Sequence, residues 1–235
     1  MEALAFTTED GVELEGELRL PGGRPRAAAV LCHPHPRQGG SKDHPLLWAI
    51  RAELARRGFA VLSFNFRGVM GSGGSYGGGA AEVRDVRAAV GDAARVAPGP
   101  VLVAGWSFGA HVALREAVGE GADGPGDERV GALALVGMPL GDADPDLPPL
   151  PPTARLATFE RPALLLAGEA DPFCPIPDLR GLARRLPGAS VHVVPGTDHF
   201  FWKREREAAA EIGEFAERVL ATGSPGPPGA ADDAP

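Results

Sequence analysis

The chain has 235 residues, 44% of them hydrophobic and 6% aromatic, and carries 31 Asp and Glu against 23 Lys and Arg. That length suffices for one well-filled core, and a net charge of −8 without clustered Lys or Arg argues against a nucleic-acid partner, whose phosphates call for basic patches. The first ten residues lack a basic stretch followed by an apolar run, and no segment approaches about 18 uninterrupted apolar residues, so a soluble, cytoplasmic protein without a membrane partner is expected.

Residues 3–8 and 12–20 flank the turn dipeptide Asp10-Gly11. In the second run Val12, Leu14, Gly16, Leu18 and Leu20 alternate with Glu13, Glu15, Glu17 and Arg19, which predicts an antiparallel hairpin with one wet face. Residues 27–32 are a short continuous apolar run of the kind buried on both faces of a parallel sheet, and His33-Pro34-His35-Pro36 stops it. Leu46, Leu47, Ile50 and Leu54 recur at helical spacing after Pro45, with Asp43 as the expected cap and Gly58 beyond the last turn. Residues 59–66 predict a strand. It opens into residues 67–80, where seven glycines rule out regular structure; no Gly-Lys-Ser/Thr ending or dinucleotide fingerprint supports a phosphate-cradling role. Val83, Val86, Ala89, Val90 and Ala93 mark an amphipathic helix.

Residues 101–111 read VLVAGWSFGAH: an apolar strand enters Gly105-Trp106-Ser107-Phe108-Gly109 and leaves as a helix. This G-x-S-x-G pattern is a nucleophile elbow, whose strained turn exposes the serine hydroxyl and aims helix-start amides at an oxygen that gains negative charge. Residues 119–127 predict a polar turn and 129–138 a further buried strand. Six prolines in 139–158 forbid a helical lid of any size. Strands at 163–167 and 190–194 and helices at 176–186 and 201–220 complete the alternation. The Pro/Gly/Ala-rich residues 223–235 are expected to be a disordered tail, leaving residues 1–222 as one domain.

Serine alone is a poor nucleophile at neutral pH, so the elbow calls for a general base and a carboxylate that orients it. Gly168-Glu169-Ala170-Asp171 follows one downstream strand and Gly196-Thr197-Asp198-His199 the next. The order Ser107, Asp171, His199 puts each group at the carboxyl end of its own strand. Asp171 is preferred over Glu169, which comes before the strand-end position, and over Asp198, which is adjacent to His199. His111 and His192 read as structural or surface residues. The pair His33 and His35 with Asp43 and His44 permits a zinc reading. Cys32 and Cys174 are expected to be reduced packing residues.

The segments His33-Pro34-His35-Pro36 with Gly39-Gly40, Phe64-Asn65-Phe66-Arg67-Gly68-Val69, Gly105-Trp106-Ser107-Phe108-Gly109-Ala110 and Gly196-Thr197-Asp198-His199-Phe200-Phe201 together resemble an α/β-hydrolase over nearly the whole of residues 1–222. More narrowly the chain is similar to the small dienelactone-hydrolase-like group, although Ser107 stands where dienelactone hydrolases carry cysteine and Met70 is an extra residue in the glycine loop. The resemblance implies an α/β-hydrolase fold: a mostly parallel eight-stranded sheet with an antiparallel N-terminal hairpin, helices on both faces and a minimal cap. Such hydrolases draw a second oxyanion donor from the loop after the third strand, a reading preferred to zinc; Pro34 and Pro36 have no N–H, so the resemblance implies the His35 amide, paired with the Phe108 amide. The expected function is a cofactor-free, metal-free serine hydrolase of small-molecule carboxylic esters. Peptidase, thioesterase or cofactor-free peroxidase activity on the same triad, or a non-catalytic binding protein, stay open. Sparse aromatic content suggests an open site for small or short-acyl substrates.

Overall fold

The switch between continuous apolar runs and helical spacing becomes an alternation of strands and helices. The computed structural model describes residues 1–120, 126–141 and 146–220. The hairpin is β1 (Glu2–Thr7) and β2 (Glu13–Arg19), antiparallel, with Gly11 in the left-handed conformation its turn requires. β2 pairs antiparallel with β4 (Phe59–Phe64). From there β3 (Ala27–Cys32), β5 (Val101–Trp106), β6 (Val130–Val136), β7 (Ala163–Gly168) and β8 (Ala189–Val194) run parallel in the order β1-β2-β4-β3-β5-β6-β7-β8.

Alternate residues of each strand feed the two sides of the sheet. Ala27, Ala29 and Leu31 pack with Leu46, Leu47, Ile50 and Leu54 of α1 (Pro45–Arg56) and with Ile212 and Phe215 of α6 (Glu205–Leu220). Ala28, Val30 and Cys32 join the opposite core, filled by α2 (Glu82–Val96), α3 (Phe108–Ala117) and α5 (Ile176–Ala183). A strand covered on both faces has no wet side to mark with polar residues, which is why β3, β5 and β7 read as unbroken apolar runs and β4 as one interrupted only by the buried Ser63. The chain leaves β3 through α1 on one face and β5 through α3 on the other. The crevice between the carboxyl ends of these neighbouring strands is the place where such sheets bind ligands.

Several boundaries differ from expectation for local reasons. The cap of α1 is His44, not Asp43: its Nδ1 accepts the Leu46 amide at 3.2 Å, while the Asp43 carboxylate takes the Lys42 ammonium at 3.0 Å. β4 ends at Phe64 instead of Phe66, because the Phe66 amide donates to His33 Nε2 at 2.9 Å. The last helix starts at Glu205, since Phe201 (φ 54°) and Lys203 (φ 63°) are left-handed. Met70 is accommodated as an exposed left-handed residue with φ 50°. Within the proline-rich segment the described residues contain one single-turn helix, α4 (Thr153–Leu156). The expected tail at 223–235 lies outside the described residues, as does 121–125 of the polar turn. Among the described residues no helix is long and apolar enough to cross a membrane.

Candidate active site

β5 delivers Ser107 at the crevice. Its φ of 57° and ψ of −121° are unfavourable for a residue with a side chain, by about 1–2 kcal/mol. The elbow persists because its flanks are glycine: a Cβ at Gly105 would strike the Gly109 carbonyl, and one at Gly109 would strike the Cys32 carbonyl of β3. The Ser107 amide donates to Val136 O of the neighbouring β6 at 2.8 Å, which fixes the turn to the sheet.

The loops after β7 and β8 bring two further groups to the serine. Ser107 Oγ lies 3.0 Å from His199 Nε2, and His199 Nδ1 lies 2.8 Å from Asp171 Oδ2. The other oxygen of Asp171 accepts the Phe173 amide at 2.9 Å and the Cys174 amide at 3.1 Å, so the buried carboxylate is held at both oxygens. Asp198 accepts the Phe200 amide within its own loop, and Glu169, after β7, accepts the Gly196 amide of the loop after β8. Of the three acidic residues weighed from the sequence, the structure brings Asp171 to the imidazole. Trp106 Nε1 donates to the His199 carbonyl at 3.1 Å, a tie across 93 residues that fixes the backbone carrying the ring.

In the His33-Pro34-His35-Pro36 loop the two imidazoles tie the backbone down. His33 Nδ1 donates to the Pro34 carbonyl at 2.6 Å and its Nε2 accepts the Phe66 amide; burial, the main cause, pushes this imidazole down to about 4. His35 Nδ1 accepts the Arg37 amide at 3.1 Å, which leaves the proton on Nε2, facing Tyr76 Oη at 3.1 Å. With both nitrogens of both rings committed to protein partners, the zinc arrangement suggested by His33 and His35 does not form. The glycine loop is likewise closed on itself: Glu82 at the start of α2 accepts the Gly77 and Gly79 amides at 2.6 and 2.8 Å. Its Tyr76 ring packs 5.3 Å from His35 and 5.8 Å from Phe108, the two residues whose amides were expected to serve as oxyanion donors.

Around Ser107 lies a cleft of about 190 Å³, lined on its polar side by His35, His44 and His199 and on its apolar side by Trp106, Phe173 and Phe200. The expectation of aromatic-poor surroundings is therefore corrected. Few rings occur in the chain, but the fold gathers them at the site. Gly137, at the end of β6, was not singled out from the sequence; a Cβ there would lie 3.0 Å from Asp171 Oδ2 and 3.1 Å from His199 Nδ1. Cys32 and Cys174 are both buried, and burial raises their thiols well above the usual range, so neither presents a thiolate. His192 faces Glu211 at 3.3 Å, away from the cleft.

Residues 26–222 match the alpha/beta hydrolase domain family. An uncharacterized protein of Rickettsia prowazekii is 26% identical over 196 residues, which cover 80% of this chain and 77% of that one. Among solved structures, a serine hydrolase without lid from Xanthomonas campestris is 26% identical, with a TM-score of 0.77 and coverage of 95% of this chain and 96% of that chain. A serine hydrolase homologue from Coxiella burnetii is 25% identical, with a TM-score of 0.76 and coverage of 91% and 96%. With the family match running from the third strand through the last helix, and the sheet order and elbow geometry in agreement with it, the chain belongs to the alpha/beta hydrolase family.

Proposed function

We propose that the protein hydrolyses small-molecule carboxylic esters, without a cofactor, through Ser107, His199 and Asp171. The observation that carries this reading is the continuous chain from Ser107 Oγ to His199 Nε2 (3.0 Å) and from His199 Nδ1 to Asp171 Oδ2 (2.8 Å), opening onto a cleft. The similarity to two proteins described as serine hydrolases supports the reaction class.

In the first half-reaction Ser107 Oγ bonds to the ester carbonyl carbon while His199 Nε2 takes the hydroxyl proton, and the carbonyl π pair moves onto oxygen. The Phe108 amide, at the first turn of α3, and the His35 amide are the donors assigned to that oxyanion. The tetrahedral adduct then collapses. The bond to the leaving oxygen breaks, and His199 hands its proton to that oxygen, releasing the alcohol. In the second half-reaction water gives a proton to His199 and its oxygen adds to the acyl carbon; Oγ leaves and recovers the proton, releasing the acid. Asp171 keeps Nδ1 as the protonated nitrogen throughout and stabilises the imidazolium. The kinship to dienelactone-hydrolase-like serine enzymes and a cytoplasmic site of action belong to the same proposal.

A fluorophosphonate probe tests the reading directly, since only an activated serine reacts with it. Covalent labelling of Ser107, lost in Ser107→Ala and in His199→Ala with both variants folded, is the expected result. Labelling that survives either substitution would overturn the assignment.

A further inference from the structure

Four rings form a closed set on one side of Ser107. The His44 ring lies 4.3 Å from Trp106 and 6.4 Å from Trp202, and Phe200 lies 6.3 Å from each of these indoles. Trp106 is buried, but Phe200 and Trp202 are 41% and 58% exposed. Phe200 lines the cleft and Trp202 continues the apolar surface outward from Phe200 and His44, so two large rings stand half in water where a ligand can cover them.

Two further observations point to a ligand there. The backbone presenting Phe200 and Trp202 is left-handed at Phe201 and Lys203, while the Phe201 ring is fully buried. The chain thus holds a strained turn that directs its neighbouring rings outward, and strain of this kind concentrates at ligand sites. His44 adds a polar group. Its Nδ1 accepts the Leu46 amide, and burial disfavours its charged form, so the neutral ring carries its proton on Nε2. That N–H has no hydrogen-bond partner among the described residues, and His44 lines the cleft.

The position of the set relative to His199 says which half of an ester it meets. Phe173, Phe200 and Trp106 pack 4.8, 5.5 and 5.6 Å from the His199 ring. His199 delivers its proton to the leaving oxygen, so the group attached to that oxygen extends over the rings that surround the imidazole. We propose, on the serine-hydrolase reading above, that these rings seat the alcohol moiety of the substrate. They select an arylalkyl alcohol whose ring packs on Phe200 and Trp202 and bears an oxygen that accepts from His44 Nε2. An aliphatic alcohol gains burial alone on this surface; an aromatic one gains edge and offset ring contacts as well.

The test compares kcat/KM for 2-phenylethyl acetate and pentyl acetate, both esters of unactivated primary alcohols. It sets beside them ethyl 3-phenylpropanoate and ethyl hexanoate, where the ring sits on the acid. A ring preference of about tenfold is expected on the alcohol side and none on the acid side. Phe200→Ala and Trp202→Ala should each bring the alcohol-side ratio towards one; because both esters are read on the same sample, loss of folded protein cancels. A 4-methoxy group on 2-phenylethyl acetate should add several-fold, and His44→Asn, which keeps a side-chain acceptor for the helix cap, should remove that gain. A ratio near one, a ring preference on the acid side, or a ratio unmoved by either ring substitution overturns the inference. If Ser107 still labels with the fluorophosphonate in that case, the serine-hydrolase reading stands; if it does not label, both fall.

Discussion

Gly137 has φ 51°, and its missing side chain leaves room for the Asp171 and His199 contact behind the serine. Gly137→Ala adds both backbone strain and a methyl group at 3.0 Å from a charged oxygen. We expect kcat to fall by a factor of ten or more while the protein remains folded, measured as turnover beside a thermal melt. Asp171→Asn keeps the shape of the carboxylate but favours the wrong imidazole tautomer, with an expected loss of ~10⁴ in kcat, whereas Asp198→Asn and Glu169→Gln should lose far less. If Asp198→Asn is the crippled variant, the assignment of the acid is wrong. Two buried imidazoles weaken the fold as the medium turns acid. His33 and His111 are both pushed by burial from 6.5 down to about 4, with Arg115 adding to the shift of His111. Between those values the unfolded chain binds more protons than the fold, so stability that is full above about pH 6.5 drains as pH falls towards 4. Burial pushes Asp85 up to about 6 and also raises Glu116, and these carboxyls act with the opposite sign over the same window, so the imidazole share is read by comparison: the melting temperature of His111→Leu should fall less between pH 6.5 and 4 than that of the parent protein.

At the scale of elements, strands and helices were legible because their residues report burial directly: the short apolar runs of β3, β4, β5 and β7 suit strands covered on both faces, and the spacing of Leu46, Leu47, Ile50 and Leu54 suits one face of a helix. That Ser107, His199 and Asp171 come together was legible for a related reason, since an elbow serine that reacts would need an acid and a base at later strand ends, and Asp171 and His199 stand there. What the sequence did not reveal depends on contacts between distant segments. The shift of the α1 cap from Asp43 to His44 follows from the competing pull of Lys42, and the late start of α6 from the left-handed turn at Phe201 and Lys203. The ring set needs Trp106, His44 and Phe200 to meet from three parts of the chain, and no local pattern announces that. The glycine loop is the same case. Its bond from His35 Nε2 to Tyr76 Oη joins it to the loop that carries a proposed oxyanion donor. A neutral hydrogen bond of this kind is worth about 0.5–1.5 kcal/mol, so Tyr76→Phe should lower kcat by up to about tenfold with little change in KM. A change in KM alone would instead assign Tyr76 to substrate binding.

For the whole molecule, the sheet has its deepest strands in the middle and two unequal edges. β3, β4 and β5 are buried along their full length, while at the edges β1 is largely exposed and β8 largely half-buried. Hydrogen exchange should accordingly protect the amides of β3 and β5 most, with β1 and β8 opening first; early exchange of β5 would contradict this order. The placement of the triad on separate strand ends has a further consequence during biosynthesis. Ser107 meets its imidazole across 92 residues and only after β7 and β8 have added to the sheet, so a nascent chain displays the hydroxyl long before it can attack anything. On the proposed reading, reactivity of Ser107 becomes a clock for completion of the fold. If the proposal holds, two fragments divided between α4 and β7 should each fail to label with the fluorophosphonate, and labelling of Ser107 should begin when they reassociate.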